Sequence, residues 1–478
     1  MATGSIDKGA KKLRSIFSLL FLAGVIGITA VSVFDRTPLD KNVDLGDFVS
    51  QIDELWVLFA ASLVFFMQAG FLCYEVGLAR PVHTTAVAIK NLIDWGVSTV
   101  GFVTIGFAIM FGASGNGYFG QDLFLLDGIA SAEVSVSGPT FFLFQLAFAG
   151  TAITLVSGSL VERTSLLAYS IIAIALAVVI YPLYGHWVWG NLLVEGNSPW
   201  LADLGFHDFA GGTVIHLLGA TVALVGIVMV GPRIGRFGPD GEPKDLKPSS
   251  IGLALLGVII LWFGWWGFNG GSYLAFSRDA VGAIVVTNLS AVAGLVGSGA
   301  FATFFQKRFM TTMKLVGGAL SGLVAITPGA DVVTPVGALA LGLIAGIVFS
   351  WGNDFMLKRR IDDALGVIPA HGGGAIVGTL GLAFVAEEGV FEVGMIDQFL
   401  IQLAGVIVCM FWAAGASYPV YWLVRRRIGL RVDPASEMAG ISLDNPEWPY
   451  QDNDTEETED QLDWSDAAEL LGADNDAG

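Results

Sequence analysis

Two similar stretches each begin with a histidine: HLLGATVALVG at 216–226 and HGGGAIVGTLG at 371–381. Aligned on their histidines, they share His, Gly, Ala, Val and Gly. Both lie in long apolar runs, where an ionisable side chain is costly to insert and therefore marks a functional site. Two such sites in matching halves of one chain predict a binding pathway between repeated units of a membrane protein.

The composition describes the surroundings of these histidines. Of 478 residues, 54% are hydrophobic and 14% are charged, whereas charged residues make up about 25% of an ordinary soluble domain. Such a chain cannot consist of water-soluble cores, so we predict a protein that crosses the membrane several times. Its 62 glycines favour close packing of the helices, because small residues let helix backbones approach each other.

The cysteines and charges exclude several classes of site and partner. Cys73 and Cys409 both lie in apolar runs, so neither a disulfide framework nor a multi-cysteine metal site is expected. The net charge is −19, and the segment from Asp433 to the end contains fifteen Asp or Glu and no Lys or Arg. Such a tail is typically solvated. It argues against nucleic acid as a partner, because nucleic-acid binding relies on Lys and Arg.

Apolar windows of about 20 residues, the length that crosses hydrocarbon as a helix, predict an all-α polytopic membrane protein with about eleven helices. The windows cover 53–78, 87–111, 139–161, 165–189, 208–231, 250–274, 280–305, 314–329, 333–353, 367–387 and 397–424. We expect a first five-helix repeat in 51–232, a second in 233–390, a last transmembrane helix in 391–430 and an acidic cytoplasmic tail in 431–478.

The distribution of Lys and Arg predicts the orientation of these helices. Basic residues concentrate in alternate loops, such as GPRIGRFGPDGEPKDLK at 231–247 and RRRIGLR at 425–431. By the positive-inside rule, these loops and the C-terminus are cytoplasmic. Because five is odd, the second group of helices has the opposite orientation, which predicts a 5+5 inverted repeat plus one final helix.

Residues 1–50 have two alternative interpretations. KKLRS at 11–15 precedes an apolar run at 16–34, which fits either a cleaved signal peptide or a retained extra helix. The end of this run, AVSVFDR at 30–36, contains no clear small-x-small cleavage site. Both interpretations stay open, and the lead into the first core helix is expected to be extracellular.

Several motifs occur in an order that is typical of one family. DFAGGTVIH at 208–216, QAGFLCYEVGLAR at 68–80, FQLAFAG at 144–150 and GWWGFNGGS at 264–272 resemble the ammonium transporter (Amt, methylammonium permease and Rh) family. DFAGG and GWWGFN resemble its Amt branch. The resemblance implies a homotrimer in the cell membrane, with one pore per subunit, that transports ammonium or ammonia and accepts methylammonium as an analogue.

The resemblance also implies a series of sites along each pore. Phe144, Trp189 and Ser272 match an outer recruitment site, where aromatic faces attract a cation and a hydroxyl oxygen accepts an ammonium N–H. Phe148 and Phe268 match a stacked phenyl gate below that site. The alternatives are an interfacial aromatic belt for Trp189 and ordinary lipid-facing or core positions for the phenylalanines.

Asp208 and the two histidines are the polar groups of the proposed pathway. Asp208 is expected to cap the fifth span, to place negative charge near an outer vestibule, or both, and the resemblance implies that it supports ammonium binding indirectly. If His216 and His371 hydrogen-bond to each other, each fixes the tautomer of the other and leaves a nitrogen for a polar guest. A zinc site is not expected, since two histidines fall short of three or four ligands, and no cofactor is predicted.

These residues predict a mechanism and leave two alternatives. Ammonium would be deprotonated near the gate, because a narrow apolar tube penalises charge, and ammonia would then pass the histidines. The proton could follow through the imidazoles or leave outward. An ammonium sensor of the same fold is the alternative function, although no kinase-like or cyclase-like domain is recognised after the last span. An enzyme is not favoured, because no nucleophile and base pair is recognised.

The remaining polar residues are interpreted as structural or regulatory. Structural hydrogen bonds are expected from Glu75, Arg80, Asn91, Asp94 and Glu162, and roles outside the pathway from His83, His186 and His207. The resemblance implies a PII-type regulatory protein as a possible partner at the cytoplasmic tail. The family pattern there is partly kept at Glu437 and Gly440, but Ser442 and Asn445 depart from it, as does Gly366 after the Asp pair at 362–363.

Overall fold

The computed structural model describes residues 45–132, 135–306 and 311–441. The predicted N-terminal run at 16–34 and the acidic residues beyond 441 lie outside this range, as do Ser442 and Asn445. In the described part of the chain, the regular structure is helical, with three isolated β-bridges. The predicted all-α fold is confirmed.

Eleven helices of the described chain correspond one to one to the eleven predicted spans. They are α1 (Gly46–Leu78), α2 (Pro81–Phe111), α3 (Gly138–Ser159), α4 (Leu166–Trp189), α5 (Gly212–Val230), α6 (Ile251–Gly271), α7 (Arg278–Phe304), α8 (Thr312–Ile326), α9 (Pro335–Lys358), α10 (Ile368–Val385) and α11 (Met395–Arg427). Ten of them are long and apolar enough to cross a membrane. The chain is therefore a multi-pass membrane protein.

The exception is α8, which contains only 15 residues. At about 1.5 Å per residue it is roughly 22 Å long, whereas a hydrocarbon core is about 30 Å thick. It ends in a 3-10 turn at Thr327–Gly329. In this turn the carbonyl oxygens of Thr327 and Pro328 accept hydrogen bonds from the N–H groups of Ala210 and Phe209, at 3.2 and 3.0 Å. The span predicted at 314–329 thus includes a turn that anchors the segment leading into α5.

Glycines allow the helices to pack backbone against backbone. A Cβ added to Gly77 on α1 would lie 2.5 Å from the backbone nitrogen of Ala254 on α6. One added to Gly346 on α9 would lie 2.0 Å from the carbonyl oxygen of Gly294 on α7. Since no side chain fits at such distances, both positions require glycine. This close packing is the use that a membrane protein makes of small residues.

The segments that lead into α5 and α10 share a local geometry. Each helix starts with a π-helical segment that contains its histidine, at Gly212–Leu217 and at Ile368–Gly373. Each histidine is preceded at the same spacing by an aspartate and by a glycine with positive φ: Asp208 and Gly211 (φ 104°), and Asp363 and Gly366 (φ 72°). The departure at position 366 therefore places glycine where a left-handed conformation favours it. The correspondence supports two related five-helix units.

The basic loops converge on one face of the bundle. Arg233, in the loop after α5, donates from Nε to Asp362 Oδ2 at 2.8 Å and from Nη1 to Glu162 Oε1 at 3.1 Å. Asp362 lies in the loop after α9 and Glu162 in the loop after α3, and Glu162 also pairs with Arg80 after α1. All four loops follow odd-numbered helices, as expected for helices that alternate in direction. We refer to these charged groups as the loop network.

The chain after α11 packs against the same face. A short helix, α12 (Pro434–Ala439), carries Glu437, whose buried carboxylate accepts from the N–H of Ile234 at 2.7 Å and from Arg431 Nε at 2.8 Å. The carbonyl oxygen of Glu437 lies 3.0 Å from His83 Nε2. The predicted tail therefore begins with a helical segment that is bonded to the start of α2 and to the loop after α5.

Candidate functional site

Four rings stack in a row inside the bundle. The ring centroid of Phe144 lies 4.5 Å from that of Phe148, and Phe148 is nearly parallel to Phe268 at 4.2 Å and 14°. Phe268 in turn stacks on His216 at 5.6 Å and 22°. All four side chains are buried. These residues, which the sequence analysis assigned to three successive sites, thus form one continuous column of aromatic rings.

The position of α3 explains how the column forms. Nearly every residue of this helix is buried, so α3 lies at the centre of the bundle. Phe144 and Phe148 are one helical turn apart and share a face. Phe268 reaches their face from α6, and the α5 π-helical segment brings His216 to the end of the stack. Three helices therefore fix the order of the rings.

The two histidines contact each other directly. Nδ1 of His371 lies 3.2 Å from Nδ1 of His216, and both side chains are buried. One Nδ1 must carry a proton and the other must accept it, so the two rings are opposite tautomers when neutral. The Nε2 atom of His216 has no hydrogen-bond partner among the described residues. The pair thus leaves a ring nitrogen unsatisfied beside the aromatic column.

Trp265 holds the His216 ring from one side. The two rings stack at a centroid distance of 5.1 Å and an angle of 25°, and the indole Nε1 donates to Thr327 Oγ1 at 2.9 Å. Thr327 belongs to the turn that ends α8. Trp265 lies within GWWGFNGGS, and the sequence predicted no role for it. Its position next to His216 could have been suspected because Trp265 and Phe268 are three residues apart and share a helix face.

The three residues of the predicted recruitment site lie around the other end of the column. The indole of Trp189 is 6.2 Å from the ring of Phe148, centroid to centroid. A Cβ added to Gly271 would lie 2.8 Å from the ring of Phe144, so Phe144 packs against the end of α6 beside Ser272. Ser272 is partly buried and donates its hydroxyl to the carbonyl oxygen of Phe268 at 2.9 Å. Its oxygen lone pairs can still accept a hydrogen bond.

Asp208 faces the start of α5 and not an open vestibule. Its buried carboxylate accepts hydrogen bonds from four backbone N–H groups, those of residues 211–214, at 2.6 to 3.0 Å, and from the Thr213 hydroxyl at 2.5 Å. Burial raises the pKa of Asp208, although these donors oppose the rise. The carbonyl oxygen of Asp208 accepts from Trp189 Nε1 at 2.7 Å. Asp208 therefore caps the helix and also positions the indole of Trp189.

A cavity lies on the side of the histidine pair opposite the phenylalanines. It is narrow, with about 10 Å³ open to the centre of a water molecule, and His371, Glu75, Tyr74, Thr154 and Gly366 are among its lining residues. A structural role was predicted for Glu75. It does form helix-to-helix bonds, since Asn91 Nδ2 donates to Glu75 Oε2 at 3.1 Å. Its place beside His371 was not foreseen.

The other histidines bond elsewhere. His186 Nδ1 lies 2.9 Å from the carbonyl oxygen of Met110, and His207 Nε2 lies 3.0 Å from Asp331 Oδ1. Within the described ranges, no group of three or more His, Cys, Asp or Glu is arranged to hold a metal ion.

Comparison with known proteins assigns the chain to a family. A family model described as "Ammonium Transporter Family" matches residues 55–447. Ammonium transporter Amt2 of Archaeoglobus fulgidus is 36% identical over 409 residues, which cover 82% of this chain and 86% of that protein. Ammonium transporter Amt1 of Haloferax mediterranei is 33% identical over 426 residues, covering 84% and 80%.

Solved structures agree with these sequence relatives. A structure titled "Sensor Amt Protein" superposes with a TM-score of 0.81 at 37% identity, covering 84% of this chain and 99% of that one. Mep2 of Candida albicans gives 0.74 at 29% identity, covering 82% and 88%. The predicted family is confirmed, and the relatives Amt2 and Amt1 are named as ammonium transporters, which are not enzymes. The chain belongs to the ammonium transporter family.

Proposed function

We propose that this protein moves ammonium across the cell membrane as ammonia, through the aromatic column and past the histidine pair. The observation that carries this proposal is the unbroken contact from Phe144 through Phe148 and Phe268 to His216, which ends in the 3.2 Å contact with His371. The rings of Phe144, Phe148 and Phe268 are apolar, and the histidine pair at the end of the column offers hydrogen bonds. It suits a small neutral molecule that both donates and accepts hydrogen bonds.

Recruitment of the cation would occur at Phe144, Trp189 and Ser272. An aromatic face attracts a cation by about 0.5 to 2 kcal/mol, depending on how far the site is desolvated. The Ser272 oxygen would accept one N–H of ammonium. Asp208 would support this site indirectly, through the hydrogen bond that its carbonyl oxygen receives from the Trp189 indole.

Selection against potassium would follow from deprotonation. Ammonium and potassium are similar in size and charge, so neither property separates them. The stacked rings of Phe148 and Phe268 leave a charged species no solvating group, and burying an unpaired charge is prohibitively costly. Ammonium can give up a proton and pass as a neutral molecule, whereas potassium cannot. His216 and His371 would then hydrogen-bond to the passing ammonia.

The assembly and the orientation belong to the same proposal. We propose a homotrimer with one pore per subunit, a cytoplasmic C-terminus, and two inverted repeats in 51–232 and 233–390. A PII-type regulatory protein would bind at the cytoplasmic face, where α12 and the loop network lie together. Support comes from the shared face of the basic loops and from Glu437, which joins α12 to them.

An ammonium sensor of the same fold is the second candidate function. The similarity to the structure titled "Sensor Amt Protein" supports this alternative. Uptake of labelled methylammonium into proteoliposomes separates the two functions. A transporter should give saturable uptake that ammonium inhibits. A sensor should bind methylammonium, as measured by a shift in thermal stability, without accumulating it in the vesicles.

Removal of the Phe148 ring should make the pathway leak. Phe148→Ala takes away the phenyl group that stacks on Phe268, so water can enter the column and solvate an ion. We expect rubidium flux into proteoliposomes to rise at least about tenfold, which corresponds to a barrier lowered by about 1.4 kcal/mol. Phe141→Ala is the matched control, because Phe141 is equally buried on α3 but packs against Phe111 outside the column. Equal rubidium flux in the two variants would contradict the gate.

A further inference from the structure

The cavity beside His371 contains a buried carboxylate oxygen without a partner. Glu75, on α1, is 1% exposed and lines this cavity together with His371. Its Oε1 atom has no hydrogen-bond partner in the described part of the chain. A buried carboxylate oxygen is costly to leave unsatisfied. An unpartnered Oε1 atom on a buried residue that lines a cavity therefore indicates that its lone pairs serve a function.

The other carboxylate oxygen of Glu75 is held firmly. Oε2 accepts hydrogen bonds from Asn91 Nδ2 at 3.1 Å and from Ser157 Oγ at 3.2 Å, and Lys90 Nζ lies 3.6 Å away. Lys90 is fixed in turn, because its Nζ donates to the carbonyl oxygen of Ser157 at 2.8 Å. A Cβ added to Gly158 would lie 3.4 Å from Oε1. Glu75 is thus fixed by Oε2, whereas Oε1 has no partner within the described ranges and lies near Gly158, which also lines the cavity.

A second cavity continues from Lys90 toward the loop network. It is also narrow, with about 20 Å³ open to the centre of a water molecule, and it is lined by Lys90, His83, Glu162 and Ile441, among others. Glu162 is a member of the loop network, and Ile441 follows α12. The structure thus places polar groups in succession from His371, through Glu75 and Lys90, to the predicted cytoplasmic face.

We propose that Glu75 accepts the proton that ammonium loses and releases it toward the predicted cytoplasmic face, while ammonia follows the pore. This inference rests on the proposed function. One N–H bond of ammonium breaks, its proton binds the free Nε2 of His216, and ammonia is released. An N–H bond of the protonated histidine pair then breaks, and an O–H bond forms at Glu75 Oε1, either directly or across one water molecule in the cavity. The carboxylate becomes a neutral acid and the imidazole returns to its neutral form.

Lys90 would drive the release of this proton. Once Glu75 is neutral, the Lys90 ammonium at 3.6 Å has lost the negative charge that pairs with it, which favours renewed ionisation of Glu75. The proton then passes into the second cavity, and the carboxylate is restored. One ammonia and one proton cross for each ammonium taken up, so one positive charge moves across the membrane in each cycle.

Paired measurements of uptake and current test this assignment. Wild-type protein and Glu75→Gln are reconstituted in liposomes, and both labelled methylammonium uptake and the methylammonium-evoked current on a supported membrane are recorded. Glutamine preserves the size of the side chain and an oxygen for Asn91 and Ser157, but it cannot take up a proton. We expect the current to fall at least about tenfold, while the thermal shift caused by methylammonium binding is unchanged.

Two further variants separate a proton role from a structural one. Glu54→Gln makes the same substitution at the other end of α1, where Glu54 Oε1 accepts from Ser137 Oγ at 2.5 Å, and it should keep the wild-type current. Glu75→Asp retains an acid, should recover part of the current, and serves if Glu75→Gln does not assemble. A wild-type current in folded Glu75→Gln would overturn the inference. So would uptake by the wild-type protein that is not accompanied by a current, or an inactive Glu75→Asp. Absence of saturable uptake in the wild type would instead refute the proposed function.

Discussion

Replacing Asp208 with alanine should lower the melting temperature of the detergent-solubilised protein by roughly 5 °C and abolish uptake. The substitution removes the acceptor of five hydrogen bonds at the start of α5. Loss of a helix cap costs about 0.5–2 kcal/mol, and each buried donor left unsatisfied costs about 1–3 kcal/mol. A total of several kcal/mol corresponds to a shift of this size in a large domain. The uptake falls because the π-helical segment that carries His216 loses its anchor.

The control for this prediction is Asp203→Ala. Asp203 precedes Asp208 by five residues and is exposed, so its replacement removes the same charge without removing the cap. It should leave both the melting temperature and the uptake of methylammonium unchanged. If Asp208→Ala has the same melting temperature as the wild type, Asp208 does not act as the helix cap.

Replacing Asp362 with asparagine should destabilise the protein by about 3–5 kcal/mol, the typical result of removing one partner from a buried ion pair. Asp362 accepts from the Arg233 N–H at 2.9 Å, Nε at 2.8 Å and Nη2 at 3.0 Å, and Arg163 Nη1 lies 3.6 Å away. Both guanidinium groups would remain buried with less compensating charge. Thermal unfolding monitored by tryptophan fluorescence measures the effect.

The effect of Asp362 should depend on pH in a defined direction. Burial alone would raise the pKa of Asp362, but Arg233 outweighs burial and holds this pKa well below its ordinary value. The stabilisation is therefore present above the ordinary carboxyl pKa of about 4, and it is lost as the pH falls through the lower folded-state value. The difference between wild type and Asp362→Asn should be constant from pH 8 to about pH 5 and shrink only in stronger acid.

An exposed ion pair beside the loop network provides the control. Asp245 lies 3.6 Å from Arg236, which also contacts Asp362, but the Asp245 side chain is fully exposed. Exposed ion pairs contribute little, because solvent screens them. Asp245→Asn should therefore unfold at the wild-type temperature. A loss of stability equal to that of Asp362→Asn would show that burial is not the cause.

The helices could be predicted from the sequence because each crossing needs its own apolar run. All eleven predicted spans correspond to a helix, including α8, which ends at Ile326 and not at residue 329 as predicted. That error has a physical cause. Residues 327–329 are uncharged and buried like α8, but Pro328 and the bonds to Phe209 and Ala210 hold them in a 3-10 turn. Hydrophobicity records burial and does not distinguish a helix from a buried turn.

The candidate site was only partly predictable. The resemblance supplied Phe148, Phe268 and the two histidines, and the structure places these residues in contact. Their roles stay proposals. The equivalent positions of Asp208 and Asp363 in the two repeats were missed, because the two histidine stretches were compared only downstream of each histidine. Extending the alignment eight residues upstream would have revealed it.

The position of Glu75 shows a different limit of sequence analysis. A buried glutamate among apolar residues fits a structural hydrogen bond as well as a proton pathway, and spacing alone does not separate them. The distinction lies in which oxygen is satisfied. Oε2 makes the expected helix-to-helix bonds, whereas Oε1 has no partner among the described residues, and Glu75 lines a cavity together with His371. Only the three-dimensional arrangement brings Glu75 and His371 to the same cavity.

The most direct test of the central claim is the initial rate of labelled methylammonium uptake by proteoliposomes that contain wild type, His216→Ala or His371→Ala. Each substitution removes a hydrogen-bonding group from the buried pair, and a loss of about 1.5–3 kcal/mol should slow uptake at least about tenfold. His186→Ala, which removes a buried histidine bonded to a backbone carbonyl outside the pair, should retain uptake. Wild-type rates in folded His216→Ala and His371→Ala would contradict the account.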